Sequence, residues 1–167
     1  MDSQVREVER CSLVAEALRS WGILKLRATG ISMLPTLWPG DVLTIETHRP
    51  EEAEPGEILL CRRRGRFFIH RLVSKRCEGK EHFLLTRGDC MAENDPPFRY
   101  RELLGKITEV QRAGSVFAPS IRLSPLRRTA AYMLCHWGFL RRTMLRLWGR
   151  RRRGDSQAEG TLIEAAS

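Results

Sequence analysis

The sequence predicts a mainly β fold, an antiparallel coiled or barrel-like sheet with a helix at each end. Two patterns support this prediction. Short segments rich in Val, Ile, Leu and Phe recur through the middle of the 167-residue chain, separated by Pro-Gly, Arg-Gly and Glu-Gly turns. Both flanks instead carry apolar residues at helical spacing. The composition, 42% apolar and 29% charged, is typical of a globular protein, and the length fits one domain.

Residues 1–24 predict an amphipathic helix. Its apolar residues recur at intervals of three and four: Leu13, Val14, Ala17, Leu18 and Trp21. Gly22 is a natural stop for this helix. Acidic residues are scattered through the region, and it lacks the uninterrupted apolar core of a signal peptide.

Residues 25–112 predict the β domain. Six strands are expected, at Leu24–Ala28, Val42–Glu46, Ile58–Arg62, Phe67–Ser74, His82–Thr86 and Leu103–Gln111. In the fourth strand, alternation puts Phe68, His70 and Leu72 on one face. His70 thus shares a face with apolar side chains, as either a desolvated base or a structural core histidine would.

The segment Gly30–Asp41 carries a candidate nucleophile. Ser32 follows a short β-prone lead-in, and a proline turn and a Pro-Gly-Asp turn constrain the backbone after it. Gly30 would let a substrate backbone approach closely, and the amide of Ser32 would be free to face an oxyanion. We expect Gly30, Ile31 and Met33 to form the substrate and oxyanion side of the site. The alternative is a serine that only caps a turn.

His70 is the candidate base for Ser32. A serine hydroxyl is a weak nucleophile unless a base takes its proton, and imidazole titrates near physiological pH. Lys75 lies five residues further on, and odd spacing would send it to the opposite face of the strand, which argues against a Ser-Lys pair. A carboxylate is needed to orient the imidazole. Asp89 and Asp95, both after the fifth predicted strand, are the candidates, and each could cap a turn instead.

These segments together resemble the signal-peptidase and SOS-repressor superfamily of serine peptidases. The motifs that carry the resemblance are Gly-x-Ser-Met-x-Pro-Thr-Leu-x-x-Gly-Asp from Gly30, His-Arg-Leu-Val from His70, and Thr-Arg-Gly-Asp from Thr86. The resemblance extends over about Leu26 to Val110. It is closest to the Ser-His branch, which includes the catalytic subunit of the endoplasmic reticulum signal peptidase.

The resemblance implies a serine endopeptidase that works through an acyl-enzyme and prefers small residues before the cut. In the Ser-His branch, a second aspartate follows the Gly-Asp motif by six residues and belongs to the catalytic group. That offset implies Ser32, His70 and Asp95 as the catalytic residues, with Asp89 as the alternative carboxylate. The chain departs from its relatives in having Cys90-Met91 where they commonly have an asparagine pair, and we expect no membrane-spanning anchor in its N-terminal helix.

The formal charge of +9 is concentrated in the C-terminal part. From Arg112 to Arg153 there are eleven arginines and no acidic residue, which leaves 18 basic and 20 acidic residues elsewhere. An anionic partner is therefore expected to meet this part of the chain.

Residues 113–153 predict a basic amphipathic helical region, followed by a disordered tail at 154–167. Its apolar stripe is Leu126, Ala130, Met133, Trp137, Leu140, Met144 and Leu147. The apolar run 129–140 would rise only about 18 Å, too little for a bilayer of about 30 Å. We expect the stripe either to lie on anionic lipid or to pack on the β domain or on a second copy.

Peptidase activity is the first of three functional hypotheses. A self-cleaving SOS-type repressor is disfavoured, since only 31 residues precede Ser32, too few for a DNA-binding domain and linker. The third hypothesis is a catalytically inactive or regulatory module that binds membrane or nucleic acid through the basic helix. Five cysteines without a Cys-x-x-Cys pair indicate reduced thiols in a cytosol and no zinc site. We expect a peptide or protein substrate, no cofactor or metal and no specific nucleic acid. The expected location is the cytoplasm, at the inner face of the plasma membrane if the basic helix binds lipid.

Overall fold

Eight strands form one antiparallel sheet in the computed structural model, which describes residues 2–78, 81–136 and 143–148. The strands are β1 (Ile23–Arg27), β2 (Val42–Thr47), β3 (Ile58–Arg63), β4 (Arg66–Glu78), β5 (Glu81–Arg87), β6 (Phe98–Arg99), β7 (Leu103–Arg112) and β8 (Ser115–Phe117). Their order across the sheet is β1-β2-β7-β3-β4-β5-β6, and β8 pairs with β7. The predicted mainly β antiparallel class is confirmed. The sheet is open, however, and does not close into a barrel.

Two short strands were not predicted. β6 has two residues and β8 has three, so neither is long enough to produce an alternating pattern. β8 follows a turn at Ala113 and Gly114, both with positive φ, and it extends the sheet past the predicted domain boundary at residue 112. The first residues of the region predicted as helical are therefore a β-hairpin.

The N-terminal helix α1 (Asp2–Trp21) packs a face on the sheet that overlaps the predicted one only in part, at Val14, Ala17 and Leu18. Cys11, Ala15 and Leu18 are buried, whereas Leu13 and Trp21 are largely exposed. The apolar residues of this helix cover more than one face, so spacing alone did not identify the face that meets the sheet.

A second helix, α2 (Pro125–His136), and the helical residues 143–148 occupy the predicted basic region. The residues that pack inward are Ala131, Leu134, Cys135, Leu145 and Trp148. The described members of the predicted stripe are exposed apart from Ala130, namely Leu126, Met133, Met144 and Leu147. The buried face is thus shifted by about one residue from the predicted stripe. Leu134, Leu145 and Trp148 each directly follow a residue of that stripe, so they form a second stripe with the same spacing. Trp137, Leu140 and the predicted tail lie outside the described residues.

The strand β3 is buried on both faces and divides the core into two clusters. Ile58 and Leu60 join a cluster that includes Leu18 of α1, while Leu59 and Cys61 join one that includes Leu72. The adjacent strand β4, which carries His70, is therefore held by apolar contacts on both sides. In the described ranges, no helix combines the length and the apolar character that crossing a membrane requires.

Candidate active site

Ser32, His70 and Asp95 form one hydrogen-bonded series. The distance from Ser32 Oγ to His70 Nε2 is 3.0 Å, and the distance from His70 Nδ1 to Asp95 Oδ2 is 2.6 Å. With the proton on Nδ1, the imidazole donates to the carboxylate and its Nε2 accepts from the serine hydroxyl. The structure thus brings together the three residues that the sequence singles out for catalysis.

The strand pairing of β4 fixes the position of His70. His70 lies opposite Leu59 of β3. Its side chain lies on the face of β4 that alternation predicts, together with Phe68 and Leu72. The rings of Phe68 and His70 are 5.5 Å apart. Only 7% of His70 is exposed, so its polar contacts lie in an environment that water largely does not reach.

Asp95 is held in the loop after β5 by Thr86. Its carboxylate oxygen Oδ2 accepts hydrogen bonds from His70 and from Thr86 Oγ1. Burial raises the pKa of Asp95, but the hydrogen bonds from His70 and Thr86 and the charges of His70 and Arg63 outweigh it, so the pKa lies below its ordinary value. The carboxylate is therefore the stable form beside the imidazole.

The backbone carbonyl of Ser32 is tied to the loop that carries both aspartates. The amide of Cys90 donates to the Ser32 carbonyl oxygen at 2.8 Å. At Gly88, a Cβ atom would lie 2.7 Å from the same oxygen, so the two loops approach as closely as glycine allows. Gly88 belongs to the Thr-Arg-Gly-Asp motif, but the motif alone does not predict this contact.

Asp89, the alternative carboxylate, is paired with Arg71 and not with His70. Arg71 donates through Nε and Nη2 to both oxygens of Asp89, at 2.8 and 2.9 Å, and Thr36 Oγ1 also donates to Asp89. A third nitrogen of Arg71 donates to the carbonyls of Gly56 and Ser120. Asp89 therefore joins the Ser32 loop to β4, a role that requires long-range contacts that the sequence does not reveal.

Neither Lys75 nor the buried thiol of Cys61 offers an alternative catalytic group. Lys75 donates to the carbonyl of Glu51 at the protein surface, so it supplies no base for Ser32. The Cys61 thiol is buried, which raises its pKa well above the usual value, and the nearby carboxylates of Asp95 and Glu102 raise it further. A thiol that stays protonated is a poor nucleophile.

A cavity of about 310 Å³ opens beside Ser32. Gly30 and Met33 line it, together with apolar side chains of α1, β1 and β4 that include Val14, Leu26 and Phe67. No heavy atom lies within 4 Å of a Cβ built on Gly30, so the space beside this glycine is open.

Of the three residues expected on the oxyanion side, Gly30 and Met33 line the cavity, and Ile31 does not. Met33 is a core residue, and Ile31 packs toward Leu34 and Trp38. The amide of Ser32 donates to no backbone acceptor within the part of the chain described, and Ser32 lines the cavity.

No protein-family model matches this chain, and no curated protein matches it significantly. In the described ranges, no three or more His, Cys, Asp or Glu side chains are grouped so that they could hold a metal ion.

Proposed function

We propose that the chain is a serine endopeptidase of the signal-peptidase type and that its open sheet is a form of that fold. One observation carries the proposal: Ser32 Oγ lies 3.0 Å from His70 Nε2, while His70 Nδ1 lies 2.6 Å from Asp95. A nucleophile, a base and an orienting carboxylate in this order recur in serine hydrolases of unrelated folds. The motif resemblance favours peptides over other acyl substrates.

In the proposed reaction, Ser32 Oγ attacks the scissile carbonyl carbon while His70 Nε2 takes the hydroxyl proton. The tetrahedral intermediate then collapses, and His70 returns that proton to the leaving amine, which leaves an acyl group on Ser32. Water, activated by the same imidazole, attacks the acyl-enzyme and releases the acid. Asp95 remains ionised and stabilises the imidazolium that forms in each step.

The amide of Ser32 is the proposed donor to the oxyanion. It donates to no backbone acceptor among the described residues, and Gly30 leaves the adjacent space open. A substrate backbone could pass Gly30 and direct its carbonyl oxygen at this amide. Because most of the cavity wall is apolar, we infer that an apolar side chain of the substrate occupies it.

The proposal is tested by labelling with a fluorophosphonate, which reacts with activated serines, followed by intact-mass analysis. We expect one phosphonate per chain, with labelling lost in Ser32→Ala and His70→Ala because the catalytic residues act as a unit. Ser20→Ala, at an exposed position of α1, is the matched control and should label normally. The same proteins are then incubated with a mixed peptide library.

Labelling of Ser32→Ala at the parental rate would show that another residue is the nucleophile. If the folded parent protein neither labels nor cleaves any peptide, the hypothesis of an inactive binding module replaces the peptidase.

We also infer that the C-terminal helices bring this peptidase to the inner face of a membrane. The support is the eleven arginines without an acidic residue between Arg112 and Arg153, together with the exposed apolar residues Leu126, Met133, Met144 and Leu147. Apolar side chains beside arginines favour the interface of an anionic bilayer. Trp148 does not belong to this surface, since it packs on Trp38 and donates to the carbonyl of Pro39.

A further inference from the structure

A second cavity adjoins the one beside Ser32. Its volume is about 510 Å³, and Cys11 of α1 lines both cavities. Its remaining lining residues are Ser12, Arg62, Arg64, Gly65, Arg101 and Glu102. The first cavity is mostly apolar and the second is rich in arginine, so a ligand that extends from Ser32 past Cys11 meets first an apolar and then a cationic environment.

No acidic side chain of the described residues forms an ion pair with the arginines of the second cavity. Within the described part of the chain, the side chains of Arg62, Arg64 and Arg101 make no hydrogen bond or ion pair. By contrast, the neighbouring Arg63 donates to the carbonyls of Pro96 and Pro97. Glu102 is the single carboxylate among the lining residues, and one of its oxygens already accepts from the amide of Arg99. Three unpaired guanidinium groups around one cavity form a site for an anion.

The conformation of the turn between β3 and β4 also favours anion binding in this cavity. Arg64 has φ of 49° and Gly65 has φ of 74°, the left-handed conformation that a two-residue hairpin turn requires. Glycine or asparagine adopts this conformation readily, whereas arginine adopts it at a cost. The turn therefore presents a cationic side chain to the cavity where local preference would favour a smaller residue.

We propose that the arginine-lined cavity selects peptide substrates by an acidic side chain. This inference rests on the proposed peptidase function. The substrate inserts an apolar side chain into the cavity beside Ser32, and a nearby aspartate or glutamate binds Arg62, Arg64 and Arg101. A guanidinium group matches a carboxylate with two parallel hydrogen bonds, which makes arginine a selective partner for this group. A peptide carboxylate suits the site better than a lipid surface, because the arginines line a concave space between α1 and the β3–β4 turn.

The test is a set of peptides with one cleavable bond, in which aspartate, asparagine or lysine is placed in turn at each position on either side of the bond. At one or two adjacent positions we expect kcat/KM to be about tenfold higher with aspartate than with lysine, the effect of one charge-assisted hydrogen bond. Arg64→Glu and Arg101→Glu should remove or invert this preference. Arg76→Glu, at an exposed position near the far end of β4, is the matched control and should retain it.

Binding provides a readout that does not depend on turnover. Ser32→Ala should bind a fluorescein-labelled aspartate peptide more tightly than the lysine peptide, and adding Arg64→Glu should reverse that order. If Ser32-dependent cleavage occurs with no charge preference at any position, the selectivity proposal is wrong and the peptidase proposal stands. If Arg64→Glu and Arg101→Glu weaken binding to anionic vesicles or RNA but leave peptide selection unchanged, the cavity serves a different partner and the proposal is likewise overturned.

Discussion

Thr86 is bound to Asp95 at two points. The amide of Asp95 donates to the Thr86 carbonyl at 2.8 Å, and Thr86 Oγ1 donates to Asp95 Oδ2 at 2.6 Å. That carboxylate oxygen also accepts from His70. Because Thr86 is completely buried at the end of β5, the sheet itself fixes the carboxylate that faces the imidazole.

The first prediction is that Thr86 acts as a positioning residue. Thr86→Val keeps the shape of the side chain but removes the donor to Asp95, so we expect kcat to fall about tenfold with little change in KM. Thr86→Ser retains the hydroxyl and should recover most of kcat. Steady-state kinetics and urea unfolding of the three proteins separate an effect on kcat from an effect on stability. A loss of stability without a change in kcat in Thr86→Val would mean that Thr86 is only structural.

The second prediction separates the two aspartates. Asp95→Asn should lower kcat by up to about 10⁴-fold, because the amide no longer favours the productive tautomer of His70. Asp89→Asn should instead reduce the free energy of unfolding by roughly 3 kcal/mol, since it leaves the buried charge of Arg71 without its partner. Kinetics and denaturant unfolding on each variant check both expectations. If Asp89→Asn loses more activity at equal folded fraction, the assignment of Asp95 is wrong.

The third prediction concerns the pH dependence of stability. The folded pKa of Asp95 lies below its ordinary value of 3.8, so the ionised carboxylate stabilises the folded state. This contribution is fully present above 3.8 and is lost as the pH falls through the folded pKa. The unfolding free energy of the parent should therefore exceed that of Asp95→Asn at pH 6, and the difference should shrink at more acidic pH. A difference that grows on acidification would contradict the lowered pKa.

Local patterns were sufficient to predict most of the sheet, whereas Ser32, His70 and Asp95 were singled out by the motif resemblance as well. Each of the six predicted strands is long enough for a pattern of alternating or consecutive apolar residues to be recognised. The face of β4 on which His70 lies follows from alternation alone. Asp95 came from the motif resemblance, since two aspartates fit the loop equally well. The structure distinguishes them by their partners, His70 and Arg71.

Other parts of the site depend on contacts between distant segments. Thr86, Arg71 and Gly88 act through residues that are 9 to 56 positions away, namely Asp95, Asp89 and Ser32. Nothing in the sequence near these residues identifies their partners. The buried face of the C-terminal helices was missed for a related reason, because Trp38 and Leu34 select which of two similar stripes packs inward.

The fourth prediction contrasts two glycines near Ser32. Gly30→Ala should leave the free energy of unfolding nearly unchanged, since its Cβ meets nothing within 4 Å, but should raise KM by narrowing the substrate path. Gly88→Ala forces its Cβ against the Ser32 carbonyl, so both stability and activity should fall. Thermal unfolding and peptide kinetics on the two variants check this. Normal KM in a folded Gly30→Ala protein would remove Gly30 from the proposed substrate path.

The fifth prediction tests the membrane surface without disturbing the site. Leu126→Ser with Met133→Ser removes two exposed apolar side chains of α2 and changes none of the residues that pack on Leu34 and Trp38. If these side chains insert into the bilayer, each contributes about 2 kcal/mol, so the double variant should bind anionic vesicles at least tenfold more weakly. Flotation at low and high salt measures this, and binding by the parent should weaken as salt screens the arginines.

The matched control for the membrane surface is Leu13→Ser, which removes a largely exposed leucine from α1 at the other end of the chain. Its vesicle binding should equal that of the parent, and both serine variants should keep parental activity on short peptides in solution. If the parent protein stays out of the vesicle fraction at low salt, the exposed face of α2 does not bind lipid. The partner of this face is then a second copy of the chain or another protein. Sedimentation of the parent and of Leu126→Ser with Met133→Ser then shows whether that partner is the chain itself.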